Sequence, residues 1–138
     1  MPFQSIDDPA WQPLLKAAWN ARAHAYAPYS GFQVGAALAW AGNLVSGCNV
    51  ENASYPICIC AERTALGAAV TAGMKPDEPL ALVVVTEAAS LTPPCGACRQ
   101  ALAEFSLELP ILLDNGHERQ LHRLGDLLPS AFTRLNLI

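Results

Sequence analysis

The sequence predicts an α/β protein: a layered sheet with helices packed on its faces. Two observations carry that expectation. Segments with apolar residues at helical spacing alternate along the chain with short runs of strand character, the order that gives a sheet covered by helices. One of those runs, "LALVVVTE" at 80–87, is apolar almost throughout with a β-branched centre, as expected of a strand buried on both faces. At 138 residues, the chain fits one domain, 1–138, in which folding buries about two-thirds of the surface an unfolded chain exposes.

From Asp8 to about Ala27, the residues Trp11, Leu14, Leu15, Ala18, Ala21 and Ala25 recur on one helical face. Asp8 or Gln12, each before a proline, marks the start of this first helix. "YAPYSG" breaks the pattern. "FQVGAALAW" and "LVSGCNV" then read as two strands of a hairpin, with a tight turn expected at Gly42–Asn43. After the loop "ENASYPI", an Ala- and Leu-rich run from Cys60 to Ala72 stops at Gly73 and reads as the second helix. "PPCGACRQALAEF" opens a third helix behind two prolines. "PILLD" and "QLHRL", joined by the turn "DNGHER", are two further short strands, and "GDLLPSAF" makes a last helical turn. No repeat, linker or low-complexity segment interrupts the chain.

Charge narrows the function classes. Eight Lys and Arg stand against twelve Asp and Glu, a net charge of -4. No basic block is present to follow a phosphate backbone, so a long nucleic acid is not the expected partner. Apolar residues make up 52% of the chain and charged ones 14%, which leaves apolar surface to face other subunits; an oligomer is expected. The opening "MPFQSIDDPAW" lacks a basic region and an apolar core of the export type, and no run approaches a membrane span of about 20 apolar residues. A cytoplasmic protein with no membrane partner is the expectation. Five cysteines without an export signal point to metal or redox use rather than a disulfide framework.

Cys95 and Cys98 form a Cys-x-x-Cys pair at a helix start, where both thiolates face one point and the helix N-terminus favours their charge. Alone, that pair suits zinc and a redox disulfide equally. Cys60, at the start of another helix, supplies a third thiol, which zinc uses and a dithiol centre does not need. Three thiolates on one zinc ion leave its fourth position open, the mark of a catalytic rather than a structural site. Cys58 and Cys48 read as small buried hydrophobes. His24, His117 and His122 lack zinc-finger spacing to the cluster and read as surface or hydrogen-bonded residues. Glu62 is placed to move protons for a zinc-activated water; a carboxylate that merely stabilises the first helical turn is the competing reading. Arg63 is suited to offset the net −1 of three thiolates and one zinc ion, and equally to a helix surface.

With these motifs in place, the chain resembles the small cytidine deaminases of pyrimidine salvage. The resemblance runs from "YAPYSGFQVGAAL" through "GCNVENASYPICICAERTAL" and "PCGACRQ" to "LLPSAF", most of the chain in a specific order. It implies a three-layer fold with a five-stranded mixed sheet, one zinc ion per subunit on Cys60, Cys95 and Cys98, and Glu62 as the acid/base. It also implies a homotetramer whose active sites are completed by neighbouring subunits. By the same resemblance, Asn49 and Glu51 hold the ribose 3′-hydroxyl, Phe32 packs on the pyrimidine, the Ala61 amide meets the base O2, and the Pro93 carbonyl meets the leaving amine. Phe132 corresponds to an aromatic that reaches the neighbour's site, and Tyr55 to a tyrosine near the subunit contacts. Read without it, "NVEN" is a solvated turn, and Phe32, Tyr55 and Phe132 are ordinary buried aromatics. Two departures stand out: Cys58 where relatives commonly carry glycine, and Pro93 in place of Ser or Thr.

The expected reaction is hydrolytic deamination of cytidine and 2′-deoxycytidine, releasing ammonia. A deaminase acting on bases within RNA or DNA shares the zinc chemistry but calls for a basic groove. A structural zinc or redox module calls for a fourth ligand or a reversible Cys95–Cys98 disulfide.

Overall fold

The computed structural model describes residues 2–138; Met1, which opens the expected 1–138 domain, lies outside the described residues. Five strands form one mixed sheet: β1 (Gly35–Trp40), β2 (Asn43–Cys48), β3 (Ala81–Val85), β4 (Pro110–Asp114) and β5 (Arg119–Arg123), in the order β2-β1-β3-β4-β5. β3 and β4 run parallel and the other neighbours antiparallel. Alternation along the strands divides the core in two. Ala37, Ala39, Val83, Val85 and Leu112 face α1 (Gln12–Arg22), meeting Trp11, Leu14, Leu15 and Ala18. Ala36, Leu38, Trp40, Leu82, Val84, Ile111 and Leu113 face α2 (Ala61–Thr71), α3 (Gly96–Ala103) and the short α4 (Leu124–Leu127). All five residues of β3 are buried, as the run of valines anticipates, and each of its Leu and Val side chains contributes about 1.5–3 kcal/mol relative to exposure.

Three details differ from the sequence reading, each for a visible reason. The first helix is shorter than Asp8–Ala27: a 3-10 turn at Pro9–Trp11 precedes α1, and the chain leaves the helix after Arg22. There the Tyr26 amide bonds the Asn49 carbonyl at 3.0 Å and the Tyr26 carbonyl accepts from the Glu51 amide at 2.8 Å. The hairpin turn lies at Ala41–Gly42, with φ of 41° and 78°, and Trp40 pairs with Asn43; two successive positive φ values match the right-handed strand twist. Phe32, Gln33 and Val34 are not part of β1. In place of a ladder, the Asn49 side chain accepts from the Val34 amide and donates to the Phe32 carbonyl, both at 2.8 Å.

Close backbone approach seats α2. A Cβ on Gly47 of β2 would lie 2.6 Å from the Ala65 nitrogen and 2.9 Å from the Thr64 Cβ, so the helix that begins beside Cys60 lies directly on the strand. α3 follows β3 through the loop 86–95; β2 and β3 both run antiparallel to β1, so their C-terminal ends, and with them the N-termini of α2 and α3, lie at the same end of the sheet.

Candidate active site

Two helix starts meet at one end of a cleft. Cys60 and Cys95 occupy the N-cap positions of α2 and α3 in extended conformation, and Cys98 is the third residue of α3. Their sulfurs all lie within 4.8 Å of one another, with Cys60 and Cys95 3.7 Å apart. Tetrahedral zinc–sulfur bonds of about 2.3 Å place sulfurs about 3.8 Å apart, so the spacing and the soft donor set both fit zinc. Cys98 is fully buried while Cys95 is exposed, which leaves the cluster open on one side.

The electrostatics favour one thiolate, at Cys60. A hydrogen bond from Cys98, joined by one from Arg63, holds the Cys60 thiol down at about 5. The same bond to Cys60 pushes Cys98 up, so the pair retains a proton that a metal would displace. Arg63 Nη2 lies 3.7 Å from the Cys60 sulfur, and its bonds to the two thiols raise the guanidinium further. Arg99 donates from Nε to the Pro94 carbonyl and from Nη1 to the Leu127 carbonyl, both at 2.8 Å. These bonds tie the loop that delivers Cys95 to α4. Arg99 was not singled out in the sequence, although it stands directly after Cys98.

Glu62 is the second residue of α2 and 5% exposed. Burial, reinforced by the charge of Cys60, pushes its carboxyl up to about 7. Such a group exchanges protons near neutral pH. Ala61, as the first residue of α2, presents an amide that has no acceptor within the helix.

A cleft of about 260 Å³ opens from this cluster, lined by Phe32, Val34, Asn49, Glu51, Cys58, Ile59, Cys60, Ala61, Glu62, Val84, Thr92, Pro93 and Cys95. Cys60, Cys95 and Glu62 thus share a largely apolar slot with Asn49 and Glu51. Asn49 is clamped by its two backbone bonds, which fix which end of the amide is oxygen. Glu51 accepts from the Tyr29 amide at 2.9 Å, the Ser30 amide at 3.1 Å and the Ser30 hydroxyl; the hydroxyl foremost holds its carboxyl below the ordinary value. Val34, Ile59, Thr92, Tyr29 and Ser30 were not anticipated; "YSG" and the strand ends carried the only signal for them.

Two expected residues lie elsewhere. Tyr55 is 67% exposed, stacks edge-on against Tyr29 at 5.8 Å, and borders a shallow second cleft with Tyr29, Ser30, Glu51 and Cys58. Phe132 is 60% exposed and is not among the lining residues of its own chain's cleft; its carbonyl accepts from Gln100 at 2.8 Å.

Residues 10–112 match the family model described as the cytidine and deoxycytidylate deaminase zinc-binding region. The chain is 45% identical over 126 residues to a cytidine deaminase of Halalkalibacterium halodurans, covering 88% of this chain and 93% of that protein. It is also 45% identical over 128 residues to a cytidine deaminase of Mycobacterium tuberculosis, covering 92% of each. Among solved structures, a cytidine deaminase from Burkholderia pseudomallei superposes with a TM-score of 0.84 at 50% identity, covering 87% of this chain and 97% of that one.

Proposed function

The chain belongs to the cytidine deaminase family, and on that premise we propose that this cleft hydrolyses free cytidine and 2′-deoxycytidine to the uridines, with release of ammonia. The observation that carries the reading is the convergence of three thiols with a buried carboxylate at the end of a nucleoside-sized slot. Cys60, Cys95 and Cys98 hold the zinc, which when bound supplies the Lewis acidity that activates a water for attack at C4 of the pyrimidine. Glu62 takes the proton that this water loses and delivers it to ring N3; it then takes the proton of the hydroxyl added at C4 and passes it to the amine, so that the C4–N bond breaks, ammonia leaves and C4 becomes a carbonyl. Its elevated pKa suits both directions of transfer. Arg63 offsets the excess negative charge of the thiolates.

Substrate is held by the rest of the wall. Phe32 packs on the pyrimidine, the Ala61 amide donates to O2, and the Pro93 carbonyl accepts from the leaving amine; proline retains that carbonyl. Asn49 has one amide hydrogen beyond its bond to Phe32, and Glu51 faces the same cleft; together they hold the ribose 3′-hydroxyl. Residues 1–138 act as one catalytic domain, a reading supported by the single continuous sheet. The protein works in pyrimidine salvage in the cytoplasm; among the described residues no helix is long and apolar enough to cross a membrane. It assembles as a homotetramer in which Phe132 and Tyr55 serve neighbouring sites.

Metal analysis combined with a Glu62→Gln variant tests the reading. The purified protein should carry one zinc per chain, lost in Cys60→Ala and kept in Cys58→Ala. Glu62→Gln should keep zinc and fold yet lose turnover by about 10²–10⁴-fold, because an amide cannot shuttle protons. Substantial activity in Glu62→Gln removes that residue from the mechanism, and zinc loss on replacing Cys58 rather than Cys60 reverses the ligand assignment.

A further inference from the structure

Glu51 lies between two peptide units that are held in different ways. On its N-terminal side, Val50 and Ile59 exchange both backbone hydrogen bonds, at 3.0 and 2.9 Å, as an isolated antiparallel bridge. Continued as a ladder, the next bonded pair would be Asn52 with Ile57. That pair cannot form, because the chain enters a 3-10 turn at Tyr55–Ile57 and the Ile57 amide is committed to the Ser54 carbonyl at 3.0 Å. Asn52 is left with a free donor and a free acceptor. Both are met by one side chain: the Asn52 amide donates to the Cys58 sulfur at 3.3 Å, and the Cys58 thiol faces the Asn52 carbonyl at 3.7 Å. A thiol carries a donor and an acceptor on the same atom, each of them weak.

Cys58 also lines both clefts that meet at Glu51, the main slot and the shallow one beneath Tyr29 and Tyr55. We propose that Cys58 is a positioning residue for Glu51: its thiol replaces the missing rung of the ladder, fixes the Asn52 peptide, and so holds the Glu51 carboxylate where it meets the sugar hydroxyl. The proposal rests on the assignment of Glu51 to that hydroxyl. It gives the thiol, which belongs neither to the zinc cluster nor to the core, a part in how tightly the sugar is held.

The test compares KM and kcat of the zinc-loaded enzyme, Cys58→Ala and Cys58→Ser on cytidine and on 3′-deoxycytidine. Loss of weak neutral hydrogen bonds should raise the KM of Cys58→Ala for cytidine by about three- to tenfold, with kcat within about twofold. The KM for 3′-deoxycytidine should not change, and serine, which also donates and accepts, should recover part of the loss. An equal rise for both nucleosides, or a fall in kcat with KM constant, would overturn the proposal. Equal KM values for the two nucleosides in the unsubstituted enzyme would instead overturn the assignment of Glu51 itself. Should Cys58→Ala fail to fold, hydrogen exchange in the unsubstituted enzyme decides: a protected Asn52 amide supports the clasp, and exchange at the rate of a free peptide refutes it.

Discussion

Glu51 shows how folding alone fixes the charge and orientation of a single side chain. Its carboxylate accepts from the Ser30 hydroxyl and from the Tyr29 and Ser30 amides, bonds that favour the charged form. The folded value therefore lies below the ordinary 4.5. This contribution to stability is complete above the unfolded value and disappears as pH falls through the lower, folded one. Side-chain carbon NMR should give Glu51 a midpoint below 4.5, moved upward in Ser30→Ala. A midpoint at or above 4.5 in the unsubstituted protein would contradict the network. At this scale the sequence was legible in its chemistry rather than in its partners. Glu51 and Asn49 stand out only through the family resemblance, since "NVEN" alone reads as a solvated turn, and Ser30, separated from Glu51 by 21 positions, is brought to it only by folding. The Asn49 amide likewise takes over backbone groups of Phe32 and Val34, which is why the strand read from Phe32 begins at Gly35.

Among the elements, the site depends on how α2 lies on β2. Gly47 has no room for a Cβ, since backbone and Thr64 stand within 3 Å of its place. Gly47→Ala should force the helix away from the strand, costing about 1–3 kcal/mol in denaturant unfolding and loosening zinc through displacement of Cys60. Unchanged stability together with unchanged zinc retention would mean that α2 shifts freely on the sheet. The helices and strands themselves were readable because apolar periodicity records which face is covered: β3 is buried throughout and its valines say so. Element ends were less readable. Asn43 has the composition of a turn residue, yet the positive φ values fall on Ala41 and Gly42, because strand register rather than composition fixes which residues turn. α1 ends early because Tyr26 pairs with Asn49 and Glu51, a long-range contact that local spacing does not encode.

For the whole molecule, the C-terminal segment is the informative part. Phe132, Leu135, Leu137 and Ile138 are all at least 60% exposed, apolar side chains that a neighbouring subunit would cover. Phe132 is accordingly expected to act in trans. Phe132→Ala should raise KM more than it loosens zinc, and mixing it with excess Glu62→Gln chains should restore some activity. The restored sites pair an intact Glu62 from one chain with an intact Phe132 from another. Light scattering should report a tetramer. A fully active monomer, or a defect that subunit exchange cannot relieve, would show that each chain builds its site alone. The central claim, that this zinc-bearing cleft deaminates the free nucleoside, is tested most directly by following the cytidine absorbance band after adding purified, zinc-loaded protein. The band should decline with release of one ammonia per uridine formed, while cytosine, lacking the sugar for Asn49 and Glu51, is turned over poorly. No loss of cytidine, equal turnover of cytosine, or activity confined to oligonucleotides would contradict it.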